Sequence, residues 1–165
     1  MSQEYRPCVG VMVLNDEGHV LVGRRKNKRL VEHVAPDHEW QMPQGGIDEG
    51  EEPLHAALRE LYEETSIKSV ELLAESRDWY SYDLPGESLR KTWRGRYRGQ
   101  IQRWFAFRFT GQLSEINIST PGGGMHKPEF DAFRWEKIDN LVEMIIPFKR
   151  GVYEKVVADF RHLVG

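Results

Sequence analysis

One cysteine, Cys8, stands among the 165 residues of this chain, so no intrachain disulfide can brace it. A small crosslinked secreted scaffold is excluded, and stability has to come from a packed core. Long hydrophobic runs are missing as well. No stretch approaches the roughly 20 apolar residues that cross a bilayer as a helix, so no membrane span is expected. Nor is there an excess of positive charge. The 23 Lys and Arg against 26 Asp and Glu leave a formal net charge of -3, so affinity for nucleic acid must come from a local patch. There is no internal repeat, no low-complexity segment and no charged-then-apolar leader, and a cytoplasmic protein is expected. With 39% hydrophobic residues the chain can fill one sizeable core, and residues 1–165 are expected to form a single domain.

What is present reads as strands with helices before and after them. Cys8 to Leu14 and Val20 to Gly23 are apolar runs around Asn15-Asp16-Glu17-Gly18, which predicts a hairpin. Lys26 to Glu39 is polar and aperiodic and predicts a long loop; its His33 and His38 lack the cysteine or third histidine that would complete a zinc set. Trp40 to Pro43 predicts a short extended piece. Val70 to Glu75 and Trp79 to Leu84 predict further strands. Gln102 to Phe109 alternates, with Phe105, Phe107 and Phe109 on one face and Trp104, Ala106 and Arg108 on the other, and predicts a central strand. Thr120 to Pro128, with Pro121-Gly122-Gly123-Gly124, predicts a flexible loop ahead of a short strand at Phe133 to Glu136. Val152, Val156, Phe160 and Leu163 predict a closing amphipathic helix. These elements predict an α/β sandwich.

The densest chemistry lies between Gly45 and Ile67, GGIDEGEEPLHAALRELYEETSI. Pro53 suits the first turn of a helix, where its missing N–H costs nothing. At about 100° per residue, Glu60, Glu63 and Glu64 share one arc beside an apolar stripe of Leu54, Ala57, Leu58 and Leu61. Like charges at i,i+4, as at Glu60 and Glu64, destabilise a bare helix by a few tenths of a kcal/mol. A hard divalent cation taking oxygen ligands is the simplest reason to gather them.

This segment resembles the Nudix box, G-x5-E-x7-R-E-U-x-E-E-x-G-U with U aliphatic. Gly45, Glu51, Arg59, Glu60, Leu61, Glu63, Glu64 and Ile67 fall on the pattern, and Ser66 replaces its last glycine. The resemblance implies the Nudix fold, an α/β/α sandwich around a mixed β-sheet. It further implies a hydrolase using Mg2+, or Mn2+ or another divalent cation, held by Gly45, Glu60, Glu63 and Glu64, with Glu51 and Arg59 pairing structurally.

A narrower resemblance, to bacterial RNA pyrophosphohydrolases and the related diadenosine-polyphosphate hydrolases, rests on Tyr5-Arg6-Pro7, Arg24-Arg25, Trp40 to Gly46, Gln102 with Trp104-Phe105, Pro128 to Asp131 and Phe148-Lys149-Arg150. It implies that Glu129 joins Glu60 and Glu64 in catalysis and in metal binding. Arg6, Arg25, Gln44 and Lys149 would then contact substrate, with Ile146 and Phe148 as an apolar wall for a nucleobase. The implied substrate is the 5′-triphosphate end of RNA, in mRNA decay, or a dinucleoside polyphosphate, turned over by a monomer. Arg90 to Arg103, with Arg94, Arg96, Arg98, Trp93 and Tyr97, is the clearest basic patch and suits either substrate. A binding module without turnover would be expected to have lost one of the metal carboxylates, and none is lost.

Overall fold

The structure is a computed structural model that describes residues 4–25, 39–86 and 97–164. Residues 26–38 of the expected loop, and Arg90, Lys91, Trp93, Arg94 and Arg96 of the basic patch, lie outside the described residues. The chain runs β1 (Glu4–Leu14), β2 (Val20–Arg25), β3 (Trp40–Gln41), β4 (Gln44–Gly46), α1 (Pro53–Thr65), β5 (Val70–Glu75), β6 (Tyr80–Asp83), β7 (Tyr97–Phe109), β8 (Phe130–Glu136), α2 (Leu141–Met144) and α3 (Arg150–Phe160). The first turn closes as its residues predict. Asn15 Oδ1 accepts the backbone N–H groups of Glu17 (3.0 Å) and His19 (2.9 Å), and Gly18 supplies the left-handed residue at φ 77°.

The strands form one mixed eight-stranded sheet in the order β3-β2-β1-β7-β5, with β4 paired to β1, β6 to β7 and β8 to β2. Among the described residues β1 and β7 run parallel, in one register from Tyr5↔Gly99 to Leu14↔Arg108 after a shift between Glu4 and Tyr5, and the other described pairs are antiparallel. Because side chains alternate along a strand, the sheet has two apolar faces. On one, Val9, Val11, Val13, Leu21, Phe105, Phe107 and Phe109 meet Ala56, Ala57 and Leu61 of α1. On the other, Met12, Val20, Val22, Trp104 and Ala106 meet Leu141 of α2 and Val152, Val156 and Phe160 of α3. The expected α/β/α sandwich around a mixed sheet is therefore the observed architecture.

Several boundaries differ from expectation. β7 begins at Tyr97 rather than Gln102, since the parallel partner β1 offers backbone groups along its whole length. β8 begins at Phe130 rather than Phe133, paired to β2. The stripe on α1 does not include Leu58, which is 40% exposed; Ala56 and Ala57 are fully buried, and their small side chains let the helix axis settle close to the sheet. The glycine-rich segment expected as a flexible loop is a compact kinked turn at Pro121–Gly124, with Pro121 and Gly122 buried and Gly122, Gly123 and Gly124 all at positive φ.

Candidate active site

Ser66, where the box has glycine, takes the glycine's conformation. It caps α1 at φ 69°, the one described non-glycine residue at positive φ, a conformation costing roughly 1–2 kcal/mol for an L-residue. Its hydroxyl donates to the Asn117 carbonyl (3.1 Å) and accepts the Gly122 N–H (2.9 Å). The substitution thus ties the end of α1 to the segment leading to Glu129.

Arg59 organises the other side of the helix. Its Nε and Nη2 donate to the two oxygens of Glu51 (2.8 and 2.9 Å), and Nη2 also donates to the Gly46 carbonyl (2.8 Å). This is the expected structural pair, and the guanidinium holds the Glu51 carboxyl down at about 2. Arg59 reaches further than the sequence indicated: Nη1 donates to Glu60 (2.9 Å) and Glu63 (3.0 Å). One cation therefore already lies between two carboxylates of the cluster.

Burial dominates the remaining carboxylates. Desolvation pushes the Glu60 carboxyl up to about 7 against the opposing pull of Arg59. It also raises Glu64 well above the ordinary range, helped by the charges of Glu60 and Glu129. Glu64 is 6% exposed, and its Oε2 accepts the Gln44 N–H (3.2 Å). Carboxylates so disfavoured as bare anions suit a group that brings positive charge, and their oxygens suit a hard divalent cation. Glu60, Glu64 and Glu129 line one cavity with Gly45, and Glu63 lies alongside on α1. Among the described residues no three acidic, histidine or cysteine side chains already converge on a closed metal cage, because Arg59 draws Glu60 and Glu63 to itself.

These shifts have a thermodynamic consequence. Between pH 4.5 and about 7 the folded, metal-free protein keeps a proton on Glu60 that the unfolded chain has released, so raising the pH favours unfolding. Lys149, lowered to about 7 by burial and by Arg25, acts in the opposite sense only above that value. In chelator the melting temperature is expected to fall from pH 5 to pH 7, and saturating Mg2+ to remove most of the fall. A melting temperature that rises over this interval in chelator would contradict the assignment.

The cavity, of about 260 Å³, is lined by Arg6, Arg25, Gln41, Gln44, Gly45, Gly46, Glu60, Glu64, Gln100, Glu129 and Phe130. It brings together Arg6, Arg25, Gln44, Gly45, Glu60, Glu64 and Glu129 of the expected set. Ile146, Phe148 and Lys149 are not among its lining residues. Ile146 is buried, and half-buried Phe148 packs on Tyr82 with ring centroids 5.6 Å apart. Lys149 is 6% exposed, its ammonium 5.5 Å from the Tyr82 ring centre. Gln41, Gln100 and Phe130 were not anticipated; polar Gln100 two residues from Gln102 on an apolar strand was the available signal for the second of these.

An acidic helix behind a double glycine shares one cavity with two arginines, on a mixed sheet with helices on both faces. The NUDIX domain profile matches residues 4–157, and the chain belongs to this family. It is 59% identical over 157 residues to the RNA pyrophosphohydrolase of Azorhizobium caulinodans, covering 95% of this chain and 92% of that protein. With the RNA pyrophosphohydrolase of Agrobacterium fabrum it shares 59% identity over 161 residues, 98% of this chain and 94% of the other. Among solved structures, the dihydroneopterin triphosphate pyrophosphohydrolase of E. coli superposes with a TM-score of 0.66 at 20% identity, covering 94% of this chain and 99% of that one. The Ap4A hydrolase of C. elegans gives 0.62 at 14% identity, covering 95% and 98%.

Proposed function

We propose that this protein is a Mg2+-dependent pyrophosphohydrolase of RNA 5′-triphosphate ends, releasing pyrophosphate and leaving a 5′-monophosphate, as a cytoplasmic monomer. The observation that carries the reading is the gathering, in the lining of one cavity, of the carboxylates Glu60, Glu64 and Glu129 with Arg6 and Arg25. A polyphosphate bound with divalent cations has this complementary pattern of charge. The RNA pyrophosphohydrolases similar over nearly the whole chain favour RNA as the carrier of that polyphosphate. Likeness to an Ap4A hydrolase at 14% identity is one of fold, so a dinucleoside polyphosphate is the second reading.

Glu60, Glu63, Glu64 and Glu129, with the Gly45 carbonyl, would hold the cation, which when bound neutralises phosphate charge and lowers the pKa of bound water. Arg6 and Arg25 donate to non-bridging oxygens and stabilise the charge that develops as water attacks phosphorus and the pyrophosphate departs. Exposed Glu129, which also lines the cavity, would accept the proton of the attacking water. Half-buried Phe148 would offer an apolar surface for the first base, with buried Ile146 supporting that region from the core, and Lys149, buried beside Tyr82, would add positive potential only below about pH 7.

Catalytic efficiencies on triphosphorylated RNA and diadenosine tetraphosphate test the reading: RNA is expected to be preferred, and the reverse order would transfer the function to the dinucleotide. Glu129→Ala is expected to lower kcat more than it raises KM. A change confined to KM would make Glu129 a binding group instead.

A further inference from the structure

A row of buried amides joins the sheet core to the cavity. Gln100, Gln102 and Trp104 alternate on β7, so their side chains share a face, and Gln100 and Gln102 are 4% and 1% exposed. The Trp104 indole lies over Gly10 of β1, where any Cβ would overlap the ring. Its Nε1–H donates to Gln102 Oε1 (3.0 Å). Gln102 Nε2 then donates in two directions, to Gln44 Oε1 (2.9 Å) and to Gln100 Oε1 (2.8 Å).

The direction of this chain is forced at one end. An indole nitrogen can only donate, so Gln102 must turn its oxygen to Trp104; the reversed amide would set N–H against N–H in a buried site. Both hydrogens of Gln102 are then committed to accepting oxygens on Gln44 and Gln100. Those two amides have no further choice: with their oxygens turned inward, their NH2 groups are left for the cavity they line.

We infer that Gln102 is a positioning residue that, set by the Trp104 indole, turns the Gln44 and Gln100 amides so that donors face the bound polyphosphate. A reversed amide would offer a carbonyl oxygen to a phosphate oxygen, exchanging attraction for repulsion. The row thereby extends the donor surface of Arg6 and Arg25 without adding charge. This inference rests on reading the cavity as a polyphosphate site.

The test is binding of inorganic tripolyphosphate in Ca2+, by calorimetry, beside hydrolysis of triphosphorylated RNA. Gln102→Met, similar in length but unable to hold either amide, is expected to weaken tripolyphosphate binding about tenfold with kcat little changed. Trp104→Phe, remote from the cavity, is expected to weaken it in the same direction by less. In a Gln44→Ala, Gln100→Ala background, Gln102→Met is expected to cost nothing further, because it acts only through the amides already removed. The same loss in both backgrounds would mark Gln102 as merely structural and overturn the inference, as would unchanged affinity in the single variants or no tripolyphosphate binding by the native protein. If Gln102→Met fails to fold, Trp104→Phe in the two backgrounds decides the matter by the same criterion. Failure of the native protein to hydrolyse triphosphorylated RNA while tripolyphosphate binding follows the expected pattern would refute the RNA reading alone.

Discussion

Glu64→Gln is expected to lower turnover on the order of a hundredfold or more while leaving the metal-free fold as stable as before, or more so. The two halves of this expectation have one cause. Glu64 is buried among Glu60 and Glu129, and both burial and those neighbours raise its carboxyl. A neutral amide of the same shape relieves that penalty, and its oxygen can still accept the Gln44 N–H. What it cannot do is offer an anionic oxygen to a cation. Melting temperature in chelator and turnover in Mg2+, measured on the same preparation, should therefore move in opposite directions or the first not at all. Near-normal turnover would remove Glu64 from the metal site.

Much of this arrangement is legible in the residues, because it depends on local spacing. Alternation put Phe105, Phe107 and Phe109 on one face of a strand, and the structure packs that face on α1, a partner the alternation did not name. The resemblance to the Nudix box implied a structural pair of Glu51 and Arg59, and the structure has that pair. The reach of Arg59 to Glu60 and to Glu63, the latter an i,i+4 pair on α1, is within what spacing can encode, whereas its bond to the Gly46 carbonyl depends on how closely β4 approaches α1, a tertiary distance. Lys149 shows a similar limit. A lysine after a phenylalanine reads as a surface charge, yet the 3-10 turn Pro147–Lys149 carries it under Tyr82, where burial lowers its pKa. Gln102 matched a family pattern as a residue type, but its direction became meaningful only once Gln44 of β4 was seen within reach across β1.

Gly45→Ala is expected to abolish most of the activity, again on the order of a hundredfold, although it adds one methyl group and removes no functional side chain. The backbone at Gly45 is not left-handed, so alanine brings no conformational strain there. Its Cβ, however, would overlap the Glu60 carboxyl. Glu60 is the flexible partner and must yield, leaving Arg59 and the cavity wall together. The metal site would lose a ligand, while the core is expected to stay folded because the atoms nearest the methyl all belong to the Glu60 carboxyl. Gly50→Ala supplies the opposite case in the same segment. Gly50 lies at φ 77° with nothing within 4 Å of an added Cβ, so alanine there has space but pays for the backbone, about 1 kcal/mol. The expected pattern is a crossed one: Gly45→Ala keeps the metal-free melting temperature and loses both activity and the stabilisation by Mg2+, whereas Gly50→Ala lowers the melting temperature and keeps both. A smaller loss of activity from Gly45→Ala than from Gly50→Ala would show that the contact between Gly45 and Glu60 does not set the metal site.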